Sequence, residues 1–173
     1  YLYKPVRLEK LDQLLIETNG PDSSIKLFEE INSINKNSEN TTKKQTELPQ
    51  IAEGMKILVT DDHPVNRKIL VEFLKKFGAA VYEAENGEAA IKMIREHSEI
   101  QVVFMDIQMP VMDGYEATRQ IRLLEDPVLS KIPIIAMTAN AFDDDRKAAE
   151  DSGMNGFLSK PVDVAEIVRV LQE

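Results

Sequence analysis

Five residues capable of phosphate or metal chemistry stand where short apolar runs end. Asp61 and Asp62 follow Met55–Thr60, Asp106 follows Gln101–Met105, Thr138 closes Ile132–Met137, and Lys160 follows Gly156–Ser159. Taken singly, each means little: an acidic pair after a strand is most often a solvated helix cap, and a lone Asp, Thr or Lys in a loop is ordinary. Together they describe one chemistry. Three carboxylates brought within a few ångströms raise one another's pKa unless a cation neutralises them. Oxygen-only ligands select a hard ion such as Mg²⁺ or Mn²⁺, which keeps several waters and binds phosphate oxygens. A lysine and a threonine hydroxyl supply the remaining charge and hydrogen bonding that phosphoryl transfer needs. A carboxylate nucleophile would then form an aspartyl phosphate.

The elements that must position these residues are legible as alternating patterns. Met55–Thr60 reads as a buried strand, and Pro64–Phe77 as a helix with Val65, Ile69, Phe73 and Phe77 on one face. Pro64 suits a first helical turn and Gly78 a helix end. Ala79–Ala84 is a second strand. Asn86 caps a helix running to about His97, with Ala90, Met93 and Ile94 inward. Gln101–Met105 is the third strand, followed by a helix capped by Asp113 that carries Ala117, Ile121 and Leu124. Ile132–Met137 and about Ala141–Asp151 form the fourth pair, Gly156–Ser159 and Asp163–Leu171 the fifth, with Asp163 and Glu166 spaced as a capping box.

Five strands alternating with five helices predict an α/β domain with a parallel sheet covered on both faces. The expected architecture is flavodoxin-like and doubly wound, with strand order 2-1-3-4-5. That order sets strands 1 and 3 side by side, and such sheets carry their sites at the carboxyl ends of the strands at this point. Asp61, Asp62 and Asp106 fall there.

Composition narrows the function classes. The chain is 43% hydrophobic and 29% charged, with a mean hydropathy of −0.28. A net charge of −9 argues against nucleic-acid binding, since little here would neutralise a phosphate backbone. No cysteine is present, which removes thiolate metal sites and cysteine nucleophiles. No apolar run approaches the ~20 residues that span a bilayer, so no membrane contact is expected. The chain begins Tyr1-Leu2-Tyr3-Lys4-Pro5 without an initiator Met, as a piece of something longer would.

Residues 18–54 differ from the rest. Asn19-Gly20-Pro21 is a turn signal, Asp22–Asn35 a weak amphipathic helix, and Asn35–Gln50 a polar linker. Residues 1–17 read as an echo of the carboxyl terminus. Lys4-Pro5 parallels Lys160-Pro161, and at the same offset Leu2, Val6 and Leu15 match Leu158, Val162 and Leu171. On that reading residues 1–17 are the last strand and helix of a preceding domain of the same fold, and 55–173 a complete copy.

Over essentially all of residues 55–173 the sequence resembles the receiver domains of two-component signalling. The resemblance is carried by ILVTDDHPVNRKIL, VVFMDIQMPVMDGYEA, IPIIAMTANAF and GMNGFLSKP, with Met109-Pro110 and Met112-Asp113-Gly114 its most specific parts. Pro64, Val65, Asn66 and Arg67 after the acidic pair are most similar to receivers fused to hybrid sensor histidine kinases.

The resemblance implies a role for each position. Asp106 is then the phosphoacceptor, Asp62 a direct metal ligand, Asp61 its support, and the backbone carbonyl of Gln108 a further ligand. Thr138 would hydrogen-bond the phosphoryl group and Lys160 pair with it. Gln108 and Asn140 would tune phosphoryl lifetime, Phe157 would be an aromatic switch coupled to Thr138, and Lys160-Pro161 a cis peptide. For His63 a capping or surface role suffices. Implied partners are the phosphohistidine domain of a histidine kinase and a histidine phosphotransfer protein, with homodimerisation open. The setting would be cytoplasmic, within a parent anchored in the inner membrane. The chain itself would lack a kinase core and, ending soon after its last helix, a DNA-binding output domain. Two other readings stand beside this one: a receiver-like interaction module without phosphotransfer, and a strand-end aspartate hydrolase. The hydrolase usually wants two aspartates separated by one residue and a cap insertion, and neither is visible.

Overall fold

The computed structural model describes residues 50–139 and 143–172, all within the unit Thr46–Glu173. The expectations for residues 1–49 and for Asn140 lie outside the described residues. Five strands form one sheet: β1 Lys56–Thr60, β2 Ala80–Ala84, β3 Val102–Asp106, β4 Ile134–Thr138 and β5 Gly156–Ser159. Between and after them run α1 Pro64–Lys76, α2 Gly87–Glu96, α3 Gly114–Arg122, α4 Asp143–Ser152 and α5 Val164–Gln172, with a 3₁₀ turn at Leu129–Lys131. The order is β2-β1-β3-β4-β5, every pair parallel, as the alternation predicts.

The strands are almost wholly apolar because both sheet faces are covered. On one face Leu58, Val103, Met105, Ile134 and Ala136 pack with Ala90 and Ile94 of α2 and Ala117 and Ile121 of α3. Alternation sends Ile57 and Val59 to the other face, where α1 lies on β1 and β2 while α5 lies on β5. Burying these side chains is worth roughly 1.5–3 kcal/mol each before chain entropy is counted, so the sheet is a rigid platform for what its ends carry.

Local signals set the boundaries. Asn86 accepts the Ala89 amide at 2.9 Å and Asp113 accepts the Glu116 amide at 2.8 Å, so both expected caps form. Pro64 occupies the first helical turn, and Gly78 leaves α1 with φ +92°. A Cβ at Gly78 would fall on Gln50 and Glu53. The glycine therefore lets the turn at Gln50–Gly54 dock under α1, where the Ala52 amide donates to the Phe77 carbonyl at 3.0 Å. These last linker residues are thus part of the folded unit.

Three expectations are corrected. The inner face of α1 is Leu70, Val71, Phe73, Leu74 and Phe77, while Val65 is 57% exposed and Ile69 half-buried. The expected stripe holds at Phe73 and Phe77 but not at Val65 and Ile69, because contact with β1 and β2 turns inward the row through Leu70, Val71 and Leu74. The capping box before α5 does not close. Asp163 accepts the Ala165 amide at 2.8 Å, but Glu166 instead accepts the Ser159 hydroxyl at 3.2 Å. Leu124 lies beyond α3, which ends at Arg122.

Arg122 ties the amino-terminal edge of the sheet together. Its guanidinium donates to the carbonyls of Gly153, Ser130 and Ile132 and to Asn155 Oδ1, at 2.7–3.0 Å. Asn155 Oδ1 also accepts the Ile134 amide at 3.0 Å, so one residue pair links α3, the entry to β4 and the α4–β5 turn.

Candidate functional site

At the carboxyl edge four of the five strands each contribute a group at or just past their end. Asp61 directly follows β1, Asp106 is the last residue of β3, Thr138 the last of β4, and Lys160 directly follows β5. Asp61, Asp106 and Thr138 are buried at 2%, 4% and 4% exposure. Asp62 is exposed. One carboxylate oxygen from each of Asp61, Asp62 and Asp106 falls within 4.8 Å of the others.

Lys160 holds this cluster. Its ammonium lies 2.7 Å from Asp61 Oδ2 and 2.7 Å from Asp106 Oδ2, with the side chain 17% exposed. The backbone helps aim it, since the Lys160 amide donates to the Thr138 carbonyl at 2.6 Å; the Lys160–Pro161 bond is cis, as expected. The free oxygens are directed too. Asp61 Oδ1 accepts the His63 amide at 2.8 Å, and Asp106 Oδ1 accepts the Gln108 amide at 3.2 Å.

The titration of the site follows from this packing. Burial pushes the Asp106 carboxyl above its ordinary 3.8; the hydrogen bond and charge of Lys160 pull it back only in part, and Asp61 adds to the upward push. For Lys160 burial is the largest single influence and acts downward, but the hydrogen bonds and charges of Asp106 and Asp61 together make the net upward. The lysine therefore stays charged, while the site's three carboxylates and one ammonium leave an excess of negative charge. Hard oxygen donors in such a cluster fit a divalent cation of the Mg²⁺ type.

The loop after β3 explains the Met-Asp-Gly motif. Asp113 caps α3, and Gly114 donates its amide to the Ile107 carbonyl at 2.9 Å. A Cβ at Gly114 would collide with the Asp106 carbonyl, so only glycine lets α3 start this close to β3. Met109 is buried beneath the loop, and Val111 takes a positive φ of 69° with its side chain 76% exposed. Between this loop and α4 lies an open cleft of about 430 Å³, bordered by Asp62, Gln108, Tyr115, Thr138 and Asp145.

Asp61, Asp62, Asp106 and Lys160 thus converge, with Thr138 and Gln108 on the adjoining cleft. Phe157, in β5, is half-buried against the core, with the Arg146 guanidinium 5.4 Å from its ring centre. His63 sits at the N-cap of α1 and makes no side-chain capping bond. His97 closes α2 and stacks on Tyr82 at 4.6 Å. Arg67, which carried the resemblance but no role at the site, donates from its guanidinium to the Asp61 carbonyl at 2.6 Å and to Glu83 Oε2 at 3.3 Å. A basic residue near the amino end of a helix opposes the helix dipole, and that was the available signal.

A doubly wound sheet in this order, with an acidic strand-end site bridged by a lysine, defines a receiver-type module. The family model for the response regulator receiver domain matches residues 57–172, and the chain belongs to that family. Among curated relatives, histidine kinase 3 of Arabidopsis thaliana is 37% identical over 134 residues, covering 67% of this chain and 13% of the kinase. Hybrid signal transduction histidine kinase L of Dictyostelium discoideum is 39% identical over 121 residues, covering 68% of this chain and 7% of the kinase. The chain therefore spans a small part of the relatives it matches, and the match lies in a receiver rather than a kinase core.

Among solved structures, the receiver domain of a Pseudomonas aeruginosa sensor histidine kinase, with magnesium coordinated in its active-site cleft, is 39% identical. Its TM-score is 0.62, over 69% of this chain and 95% of that one. The receiver domain of Saccharomyces cerevisiae Ssk1, in complex with the histidine phosphotransfer protein Ypd1, is 30% identical at a TM-score of 0.64, over 69% and 88%. No helix among the described residues is long and apolar enough to cross a membrane.

Proposed function

We propose that this receiver accepts a phosphoryl group on Asp106 from a phosphohistidine and passes it on in a phosphorelay. The observation that carries the reading is Lys160, bridging Asp61 and Asp106 at 2.7 Å beside a third carboxylate. Asp106 is the nucleophile. Its oxygen forms a bond to phosphorus as the phosphorus–nitrogen bond of the donor breaks; the electron pair of that bond stays on the imidazole nitrogen, and the departing ring is neutralised by a proton from water. Lys160 and the Thr138 hydroxyl balance and orient charge on the transferring oxygens.

Mg²⁺ would be held by Asp61, Asp62, Asp106 and the Gln108 carbonyl, supplying positive charge for phosphate oxygens; Mn²⁺ has the same donor preference. In this reading Gln108 and Asn140 set how long the aspartyl phosphate survives. Phe157 reports the phosphorylated state by following Thr138.

A phosphotransfer protein is the proposed recipient, and the phosphohistidine domain of a kinase the donor. The exposed Val65 and half-buried Ile69 of α1 adjoin the acidic pair and offer an apolar rim to a helical partner. The parent is proposed to be a hybrid sensor kinase anchored in the inner membrane with its receivers in the cytoplasm, residues 1–17 being the end of a preceding receiver.

The test is incubation with Mg²⁺ and acetyl phosphate, followed by intact-mass measurement. A gain of one phosphoryl group that disappears in Asp106→Asn is expected. No gain, or a gain that survives Asp106→Asn, refutes the reading; the first result leaves an interaction module, and turnover of generic phosphoesters a hydrolase.

A further inference from the structure

The acceptor cluster is built on one residue that no strand end supplies. Arg67 sits one turn into α1, with its side chain 18% exposed, turned back over the β1–α1 junction. One guanidinium nitrogen donates to the Asp61 carbonyl at 2.6 Å, and another pairs with Glu83 of β2 at 3.3 Å. β2 and β1 are neighbours in register, with Val59 opposite Glu83 and Thr60 opposite Ala84. The Asp61 amide also donates to the Ala84 carbonyl at 3.2 Å. Asp61 is therefore gripped on both sides of its Cα: its amide by β2, its carbonyl by Arg67, itself braced from β2.

We propose that Arg67, with Glu83 behind it, is a positioning residue of the metal and phosphoryl site. It fixes the peptide plane after Asp61 and so aims the Asp61 carboxylate at Lys160 and at the cation. This rests on the function proposed above. A carbonyl leaving a strand end has no ladder partner, and a free one would let the next two residues, Asp62 and His63, rotate. The Arg67 fork removes that freedom. A lysine could not do so equally, because a single ammonium cannot hold the planar two-partner geometry.

Positioning and plain electrostatics predict opposite signs. Arg67 is a cation close to a site that takes cations, so on charge alone Arg67→Ala would tighten Mg²⁺ binding. If Arg67 positions Asp61, its loss weakens Mg²⁺ binding in spite of the charge removed. Outer partners of metal ligands are worth about 10-fold or more in affinity.

The experiment is Mg²⁺ titration of wild type, Arg67→Ala, Arg67→Lys and Glu83→Gln, together with amide exchange of His63 in the metal-free proteins. The His63 amide reads Asp61 directly through its 2.8 Å bond to Oδ1. Urea unfolding of each variant separates this from global loosening. Expected is about 10-fold weaker Mg²⁺ binding in Arg67→Ala, a smaller loss in Arg67→Lys and Glu83→Gln, and faster His63 exchange than global stability accounts for. Unchanged or tighter Mg²⁺ binding in Arg67→Ala, or His63 exchange that follows global stability alone, overturns the proposal. A wild type that binds no Mg²⁺ refutes the proposed function instead.

Discussion

Replacing Lys160 by methionine tests whether the acceptor cluster is held by charge. Methionine keeps most of the apolar stem and removes the ammonium that touches Asp61 and Asp106 at 2.7 Å each. Removing one partner of a buried ion pair costs about 3–5 kcal/mol, because the other charge is left uncompensated. Here two carboxylates are left, 2% and 4% exposed, beside an open cleft that admits solvent. The expected loss at neutral pH without metal is therefore at or just below the lower end of that range, about 2–3 kcal/mol.

The pH dependence has a definite sign. Burial already holds Asp106 above 3.8, and deleting Lys160 removes the main downward influence, so its carboxyl moves higher. A carboxyl whose folded pKa exceeds its unfolded one binds more protons when folded. Its contribution is fully present below the unfolded value and is lost as pH rises through the folded value. The deficit of Lys160→Met is thus greatest at neutral pH and shrinks on acidification toward pH ~4. The measurement is urea unfolding of both proteins across that range in a chelator, then with Mg²⁺. Mg²⁺ should restore more stability to the variant than it adds to wild type, since it replaces the lost charge. A loss below about 0.5 kcal/mol at neutral pH, or one that grows on acidification, would show that the cluster is not held as argued.

Three further outcomes follow from the packing. Thr60 is fully buried and its hydroxyl has no hydrogen-bond partner, so Thr60→Val should stabilise by about 1–2 kcal/mol, seen as a thermal midpoint raised by several degrees; a lowered midpoint would mean the hydroxyl is satisfied. Gly114→Ala forces a methyl onto the Asp106 carbonyl and should cost about 2–3 kcal/mol while slowing acetyl phosphate labelling of Asp106, whereas unchanged labelling would separate the loop from the acceptor. Arg122→Ala strands three carbonyls and Asn155, so chemical denaturation should show a loss of about 2–3 kcal/mol, and a loss under 1 kcal/mol would mean water replaces the guanidinium.

Much of this protein follows from sequence alone, and the reason is local. Apolar runs of five residues between amphipathic stretches admit only a covered parallel sheet, and the strand order then sets β1 beside β3. Because Asp61, Asp106, Thr138 and Lys160 stand at or just past strand ends, sheet order was enough to gather them. Asn86, Asp113 and Gly78 mark their boundaries through bonds made within a few residues. Tertiary structure decided whatever depends on partners distant in the chain. The stripe Val65, Ile69, Phe73 and Phe77 was a valid helix face, and only contact with β1 and β2 buried its second half with Leu70, Val71 and Leu74 and left Val65 outside. Glu166 had two acceptable uses, and Ser159 claimed it. Residue types showed that a lysine and three aspartates would meet. They could not show that Lys160 contacts Asp61, 99 residues earlier, together with Asp106, nor that Arg67 holds the Asp61 carbonyl from behind. Those contacts are side-chain geometry across elements, which spacing along the chain does not encode.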